Sequence, residues 1–131
     1  MRVVSTLLAV AFCFIAGTVS AEPARKALPP TIAIIIDDMG HSLVEGERLA
    51  NLDQPLTLAF LPYRPHTDSL ARLAYKQHKE IMLHAPMANT RNYGLGPGGL
   101  TPEMDEQSMV TTLRRALQSI PHVQGVNNHM G

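Results

Sequence analysis

Four short apolar runs recur along the second part of the chain, and this recurrence limits its possible folds more than any other feature. Polar residues follow each run, and an amphipathic segment of helical periodicity then follows each of the first three. Strands that alternate with helices at this spacing predict a parallel sheet with right-handed crossovers. The sequence therefore predicts an α/β fold, with strands over 31–36, 56–61, 80–83 and 123–126.

The first strand is the most apolar of the four, and it ends at two adjacent carboxylates. Its Ile34-Ile35-Ile36 run is typical of a parallel strand that is buried on both faces. Asp37 and Asp38 follow directly, at the strand end where α/β proteins bind ligands and metals. We therefore expect a buried first strand that presents two acids at a functional edge.

Each predicted helix begins after a residue that can cap it. Ser42 and Glu45 form a capping-box pattern before the first helix, which is expected to reach about residue 52. Thr67 and Thr101 are the predicted caps of the second and third helices. The side chains expected to face the core are Leu43, Val44 and Leu49 in the first helix, Leu70, Leu73 and Ala74 in the second, and Met109, Val110, Leu113, Leu117 and Ile120 in the third.

The first 21 residues have the features of a signal peptide. Arg2 gives a positive start, residues 3–19 are apolar, and Ala21 ends a small-residue cleavage pattern. The alternative is an uncleaved membrane anchor, but the apolar run is shorter than the ~20 residues that a spanning helix needs. Cys13, the one cysteine, falls in this segment, so the mature chain would need no disulfide. We expect a periplasmic or secreted protein.

The charge of the chain limits its possible ligands, and the length of the mature chain limits how much of a barrel it can form. The sequence has 11 basic and 11 acidic residues and no basic cluster, which argues against nucleic-acid binding. Residues 22–30 are expected to be an exposed linker, and residues 31–131 a folded domain. That domain is short of the ~200 residues of a complete β/α barrel. No helix follows the strand at 123–126 to cover it, so we expect a truncated part of a longer domain.

Side chains that can bind a metal follow three of the four strands. Asp37 and Asp38 follow the first strand, His84 follows the third, and His129 lies in the polar segment after the fourth. Because the carboxyl ends of parallel strands share one edge, we expect these side chains to lie close together. A carboxylate and two imidazoles suit zinc or a similar divalent ion and leave a position open for water. An adjacent carboxylate could then act as a general base.

Each of these residues also has an ordinary structural explanation. The Asp pair could form a turn or cap, His84 could be a satisfied core histidine, and His129 could be a turn residue. Their convergence at successive strand ends is what favours a metal site. Tyr63, Arg64 and Asn128 are candidate substrate contacts, although an ordinary exposed loop explains Tyr63 and Arg64 equally well. The glycine-rich segment 84–100 is also expected to face substrate because it is long for a loop.

Five segments of the chain form a recognisable set of motifs, namely IAIIIDDMG (32–40), LTLAFLP (56–62), EIMLHAPM (80–87), GPGGLTPEM (96–104) and GVNNHMG (125–131). Together they resemble the divergent polysaccharide deacetylase family. This family belongs to the glycoside hydrolase/deacetylase superfamily, and the resemblance implies the N-terminal part of an irregular β/α barrel. It also implies a cell-envelope location and a polysaccharide or peptidoglycan-type glycan as the partner.

The resemblance also implies roles for individual residues. Asp37 would be the catalytic base, and Asp38 would bind a divalent metal, with zinc the first candidate. Related metal-dependent deacetylases take two histidine ligands from one His-x-x-x-His turn, which this sequence lacks, so His84 and His129 would replace them by their strand-end positions.

Three functions remain open at this point. The chain could be an exported metal-dependent deacetylase, a non-catalytic glycan-binding or envelope-scaffold protein, or a hydrolase of another ester. A chain that ended at Gly131 would lack the later motifs of the barrel and would be expected to be inactive.

Overall fold

The computed structural model describes residues 29–131, of which residues 31–131 form one compact unit. The predicted signal peptide and most of the predicted linker lie outside the described residues. No helix within residues 29–131 is long and apolar enough to cross a membrane. In chain order the elements are β1 (Ile35–Met39), α1 (Leu43–Ala50), β2 (Thr57–Phe60), α2 (Thr67–Lys76), β3 (Glu80–Pro86), α3 (Glu106–Gln118) and β4 (Gly125–His129).

The four strands form one parallel sheet in the order β1-β2-β3-β4. Leu58 of β2 pairs with Ile36 on one side and Ile81 on the other. A helix connects each strand to the next, which confirms the predicted α/β alternation. Because all strands run in the same direction, their carboxyl ends meet at one edge of the sheet.

The core lies between the two central strands and the helices. All four residues of β2 are buried, and β3 adds Ile81 and Leu83. Small side chains let the helices approach closely: a Cβ on Gly46 of α1 would lie 2.2 Å from Leu70 Cδ1 of α2. The other buried helical residues of the core are Ala50, Ala71, Ala74 and Ala116.

The prediction of a fully buried first strand is wrong. Strand β1 begins at Ile35, and it lies at an edge of the sheet with β2 as its one neighbour among the described strands. Ile34 and Ile35 are consequently 47% and 43% exposed. An apolar run shows that a strand can be buried on both faces, but its burial depends on which elements actually pack against it.

The predicted apolar face of α1 is only partly correct. Ser42 does cap the helix, since its Oγ accepts a hydrogen bond from Glu45 N at 3.3 Å. Leu49 packs against the core as predicted, but Leu43 and Val44 are exposed. The buried positions are instead Gly46 and Ala50, because only small residues fit at the close contact with α2.

Two other predicted caps are wrong. The Thr67 hydroxyl donates to the buried Leu61 carbonyl at 2.7 Å, and Thr67 is the first residue of α2 rather than its cap. Thr101 begins a turn that precedes α3. That helix is capped by Asp105, whose carboxylate accepts from Ser108 N at 2.7 Å. Both threonines have the right chemistry for a cap, but the Thr67 hydroxyl bonds a backbone carbonyl instead, and Asp105 rather than Thr101 directly precedes the first residue of α3.

Strands β3 and β4 extend further than the apolar runs indicate. Strand β3 continues to Pro86, and β4 continues to His129. His84 pairs with Asn127, and Pro86 pairs with His129. Polar residues that the sequence assigns to loops therefore lie within the strands, where backbone pairing fixes their positions.

Candidate metal centre

Three side chains converge at the carboxyl edge of the sheet, namely Asp38, His84 and His129. Asp38 Oδ1 lies 3.1 Å from His129 Nδ1 and 3.5 Å from His84 Nε2. The two imidazole nitrogens lie 3.0 Å apart. Ligand atoms around a tetrahedral zinc ion, with bonds of ~2.0–2.2 Å, lie roughly 3.3 Å from one another. The three atoms therefore fit the ligand set of one small divalent ion.

A bulge in β1 brings both acids to this cluster. The pairing of β1 with β2 is irregular between Ile36 and Met39, and Asp38 has a φ of 59°. Aspartate is among the residues that tolerate this left-handed conformation. In a regular strand, neighbouring side chains point to opposite faces. Here Asp38 lies beside the histidines, and Asp37 Oδ1 lies 3.6 Å from His84 Nδ1.

The register of β3 and β4 places the two histidines together. His84 is opposite Asn127, and His129 is two residues further along β4, so its side chain leaves the sheet on the same face. The ring centroids are 4.7 Å apart with an interplanar angle of 63°. Two histidines that are 45 positions apart in the sequence thus become diagonal neighbours in the sheet.

Asn127 joins the centre to Asp37, although no individual role was predicted for this residue. Its Oδ1 lies 2.9 Å from His84 Nδ1, and its Nδ2 donates to Asp37 Oδ1 at 2.8 Å. The alternation of β4 could have identified it, because residues 127 and 129 share a face. The alternation was not recognised because the predicted strand ended at residue 126, and the residues after it were predicted to form a loop.

The environment of the centre favours a neutral imidazole at His129. Its side chain is partly buried and lies beside the buried His84. Burial lowers the pKa of His129 below its ordinary value, while the nearby Asp38 carboxylate opposes this effect. Arg64 contributes positive charge that lowers the same pKa further. A neutral imidazole has the free electron pair that a metal ligand needs.

The predicted substrate contacts occupy two different positions. Tyr63 and Arg64 lie under the glycine-rich segment: a Cβ on Gly98 would lie 3.1 Å from Tyr63 Cε2, and one on Gly96 would lie 2.8 Å from Arg64 Nη2. Arg64 Nε is buried without a hydrogen-bond partner among residues 29–131.

Asn128 differs from its neighbour Asn127. Its amide donates to the Gly131 carbonyl, and strand alternation turns it away from the face that Asn127 shares with His129. Its role as a substrate contact stays a prediction, as do those of Tyr63 and Arg64.

The fold and the ligand set define a β/α protein with a candidate divalent-metal centre at the carboxyl ends of its strands. A model of the divergent polysaccharide deacetylase family matches residues 34–131. The chain belongs to the divergent polysaccharide deacetylase family, which confirms the resemblance found in its sequence motifs.

Relatives and a solved structure agree with this membership. The chain is 32% identical over 100 residues to the uncharacterized protein YibQ of Escherichia coli K12. This alignment covers 76% of this chain and 31% of YibQ. An uncharacterized protein of Haemophilus influenzae is 28% identical over 100 residues, covering 76% of this chain and 36% of that protein. The crystal structure of the uncharacterized protein ATU2773 from Agrobacterium tumefaciens C58 matches with a TM-score of 0.67 at 25% identity, covering 76% of this chain and 42% of that one. The chain spans about a third of the length of these two curated relatives.

Proposed function

We propose that this chain carries the metal centre of an exported, metal-dependent hydrolase that removes acetyl groups from a cell-envelope polysaccharide or peptidoglycan-type glycan. The observation that carries the proposal is the convergence of Asp38, His84 and His129 within ligand distance of one another. Membership of a family described as divergent polysaccharide deacetylases supports the substrate class. The signal-peptide pattern of residues 1–21 supports a periplasmic or secreted location.

Zinc is the first candidate for the ion. One carboxylate and two neutral imidazoles form a ligand set typical of catalytic zinc, which keeps a position open. Magnesium and calcium prefer sites made of oxygen ligands, so two histidines argue against both. When bound, the ion supplies Lewis acidity towards water and towards the acetyl carbonyl.

Asp37 is the residue that we assign as the general base. Asn127 holds one of its oxygens, and the other makes no hydrogen bond within residues 29–131. The Asp37 side chain is about half exposed, at 48%, so water and substrate can reach it. A carboxylate with one fixed oxygen and one free oxygen is suited to accept a proton from the attacking water.

The residues around the centre suit a carbohydrate substrate. Tyr63 presents a ring that is 45% exposed, and an exposed aromatic ring offers an apolar face together with a polar hydroxyl. Arg64 lies next to Gly96 with a buried Nε that lacks a partner among the described residues. We assign Tyr63 and Arg64 to substrate binding at the centre. Asn128, which strand alternation turns away from the centre, would contact only a part of the substrate that extends beyond it.

Metal binding by the full-length protein is the first test. Zinc affinity would be measured by competition with a chromogenic chelator for the natural chain, for the D38A/H129A double variant, and for His78→Asn as a matched control. His78 lies before β3, at the opposite end of the sheet from the centre, and asparagine tolerates its φ of 58°. We expect tight binding by the natural chain and the control, and loss of binding in the double variant. An unchanged zinc affinity in the double variant would refute the proposed metal centre.

A panel of acetylated glycans, simple acetyl esters and phosphoesters would then identify the reaction. Acetate release from the glycans alone supports the deacetylase. One observation favours the second candidate, a non-catalytic glycan-binding protein: the two histidines come from separate strands rather than from one His-x-x-x-His turn. Glycan binding without acetate release, in the presence of zinc, would support that candidate. Hydrolysis of phosphoesters or simple esters alone would indicate a different hydrolase.

A further inference from the structure

We propose that Asn127 is a positioning residue that fixes the tautomer of His84 and the orientation of the Asp37 carboxylate at the same time. The hydrogen-bond pattern supports this directly, and its consequence for metal binding rests on the proposed function. Asn127 Oδ1 lies 2.9 Å from His84 Nδ1, and Asn127 Nδ2 lies 2.8 Å from Asp37 Oδ1.

The chemistry of the three groups allows one arrangement of protons. An ionised carboxylate only accepts hydrogen bonds, so the amide NH₂ of Asn127 must face Asp37. The amide oxygen then faces His84 Nδ1, and because this oxygen is also only an acceptor, Nδ1 must carry a proton. A reversed amide would place its oxygen against the Asp37 carboxylate, where the two acceptors would repel each other.

The proton on His84 Nδ1 decides what the other ring nitrogen can do. A neutral imidazole carries one proton, so His84 Nε2 keeps a free electron pair. This nitrogen is the one that lies 3.0 Å from His129 Nδ1 and 3.5 Å from Asp38 Oδ1. Histidine ligands of metals commonly donate their second N–H to a fixed acceptor, which orients the ring. Here the acceptor is a side-chain amide.

The position of His84 makes this acceptor difficult to replace. The His84 side chain is 4% exposed, so bulk water has little access to Nδ1 if the Asn127 amide is removed. Asp37 Oδ1 is the other acceptor nearby, but it is further away, at 3.6 Å. Loss of the amide would leave Nδ1 with a poor partner, and the ring could then carry its proton on Nε2, facing the centre.

The amide has a second effect on Asp37. One short side chain from β4 holds the carboxylate that we assign as the base, and it also holds a histidine that we assign as a ligand. The two halves of the amide therefore act on different functions: the oxygen on metal binding, and the NH₂ group on the base. Substitutions that remove one half at a time can separate them.

Two variants of the full chain test the proposal. Asn127→Ala removes both halves of the amide. Asn127→Asp keeps an acceptor for His84 but replaces the donor to Asp37 with an oxygen. Asn51→Ala is the matched control, since Asn51 bonds to Glu47 O at the end of α1. The measurements are the tautomer of His84, by long-range ¹⁵N–¹H NMR of the imidazole, and zinc affinity by chelator competition.

We expect the natural chain, Asn127→Asp and the control to show His84 protonated on Nδ1. Asn127→Ala should shift His84 towards the Nε2 tautomer and weaken zinc binding by roughly 10–100-fold, the usual effect of losing such a partner. Asn127→Asp should keep zinc affinity at or above that of the natural chain, while acetate release falls because two carboxylates then face each other.

Clear outcomes would overturn the proposal. These are an Nδ1 tautomer and unchanged zinc affinity in Asn127→Ala, or the Nε2 tautomer in Asn127→Asp. If Asn127→Ala does not fold, the tautomer in Asn127→Asp decides alone. Failure of the natural chain to bind zinc would refute the proposed function, whereas the tautomer comparison, which needs no metal, would still test Asn127.

Discussion

Asn127 Nδ2 donates to Asp37 Oδ1 at 2.8 Å, although the two residues lie on β4 and β1, the opposite edges of the described sheet. Neighbouring strands are ~4.8 Å apart, so three spacings in a flat sheet would separate β1 from β4 by about 14 Å. Two short side chains cannot span that distance. The sheet must therefore curve strongly at its carboxyl end, like a segment of a barrel wall, and this curvature assembles the centre.

The two adjacent acids should respond differently to the same substitution. Asp38→Asn replaces a proposed ligand with a neutral amide, and asparagine tolerates the φ of 59° at this position. We expect zinc affinity to fall more than roughly 100-fold, beyond the usual effect of an outer partner. Asp37→Asn should keep zinc affinity within about 10-fold but lower acetate release by about 10²–10⁴, the usual contribution of a general base. Chelator competition and acetate release measure the two effects, and equal losses of affinity in both variants would contradict the assigned roles.

The stability of the metal-free chain should fall as the pH drops below about 6.5, the ordinary pKa of histidine. Burial lowers the pKa of His129 in the folded state. Below 6.5 the unfolded chain therefore takes up a proton that the folded chain does not yet bind. Because the unfolded state binds more protons, the free energy of unfolding decreases with falling pH until the folded pKa is reached.

Urea unfolding in the presence of a chelator, at a series of pH values, measures this dependence. The comparison chain is His129→Gln, which has no imidazole at this position. As the pH falls below 6.5, we expect the free energy of unfolding of His129→Gln to change less than that of the natural chain. The same pH dependence in both chains would show that His129 does not contribute.

Gly40 should be among the positions where alanine is most destabilising. Its φ is 111°, and an added Cβ would lie 2.3 Å from Thr67 Oγ1, which is held by the buried bond to Leu61 O. Backbone strain and overpacking together should lower the free energy of unfolding by roughly 2–4 kcal/mol. Gly94→Ala is the matched control, since a Cβ there meets no atom within 4 Å. Urea unfolding should show a change within about 0.5 kcal/mol for the control. Equal stability of the two variants would contradict the described packing.

Lys79 should stabilise the fold through its buried ammonium group. Its Nζ donates to the carbonyl oxygens of Leu52 and Gln54, and the residue is 6% exposed. Lys79→Met removes the donor and leaves two carbonyls without it, which should cost about 1–3 kcal/mol. Lys76→Met, at an exposed position of α2, should change stability by no more than about 0.5 kcal/mol. Urea unfolding of both variants checks this, and a stable Lys79→Met chain would show that the two carbonyls find other partners.

The sequence predicted the general position of the centre, because that position follows from strand direction alone. The strand–helix alternation predicts parallel strands, and parallel strands bring their carboxyl ends to one edge. Asp38, His84 and His129 were accordingly expected to meet there, and the structure brings them together. The role of each residue remains a prediction, since shared position does not establish chemistry.

Local sequence signals failed where a group outside the local pattern determines what a side chain contacts. Thr67 has the chemistry of a helix cap, but its hydroxyl donates to Leu61 O instead. Ile34 and Ile35 are typical of a buried strand, but the edge position of β1 leaves them exposed. In each case the outcome depends on a neighbour that the local pattern does not specify.

The sequence by itself determined the order of strands and helices and the set of side chains at the carboxyl edge, since both depend on local periodicity and chain direction. Only the tertiary structure decided that β4 remains paired as far as His129, and that Asn127 rather than Asn128 contacts the centre. The physical reason is that strand register fixes which face each side chain occupies, while sheet curvature fixes the distance between the two edges. Both arise from pairing between residues that are far apart in the sequence.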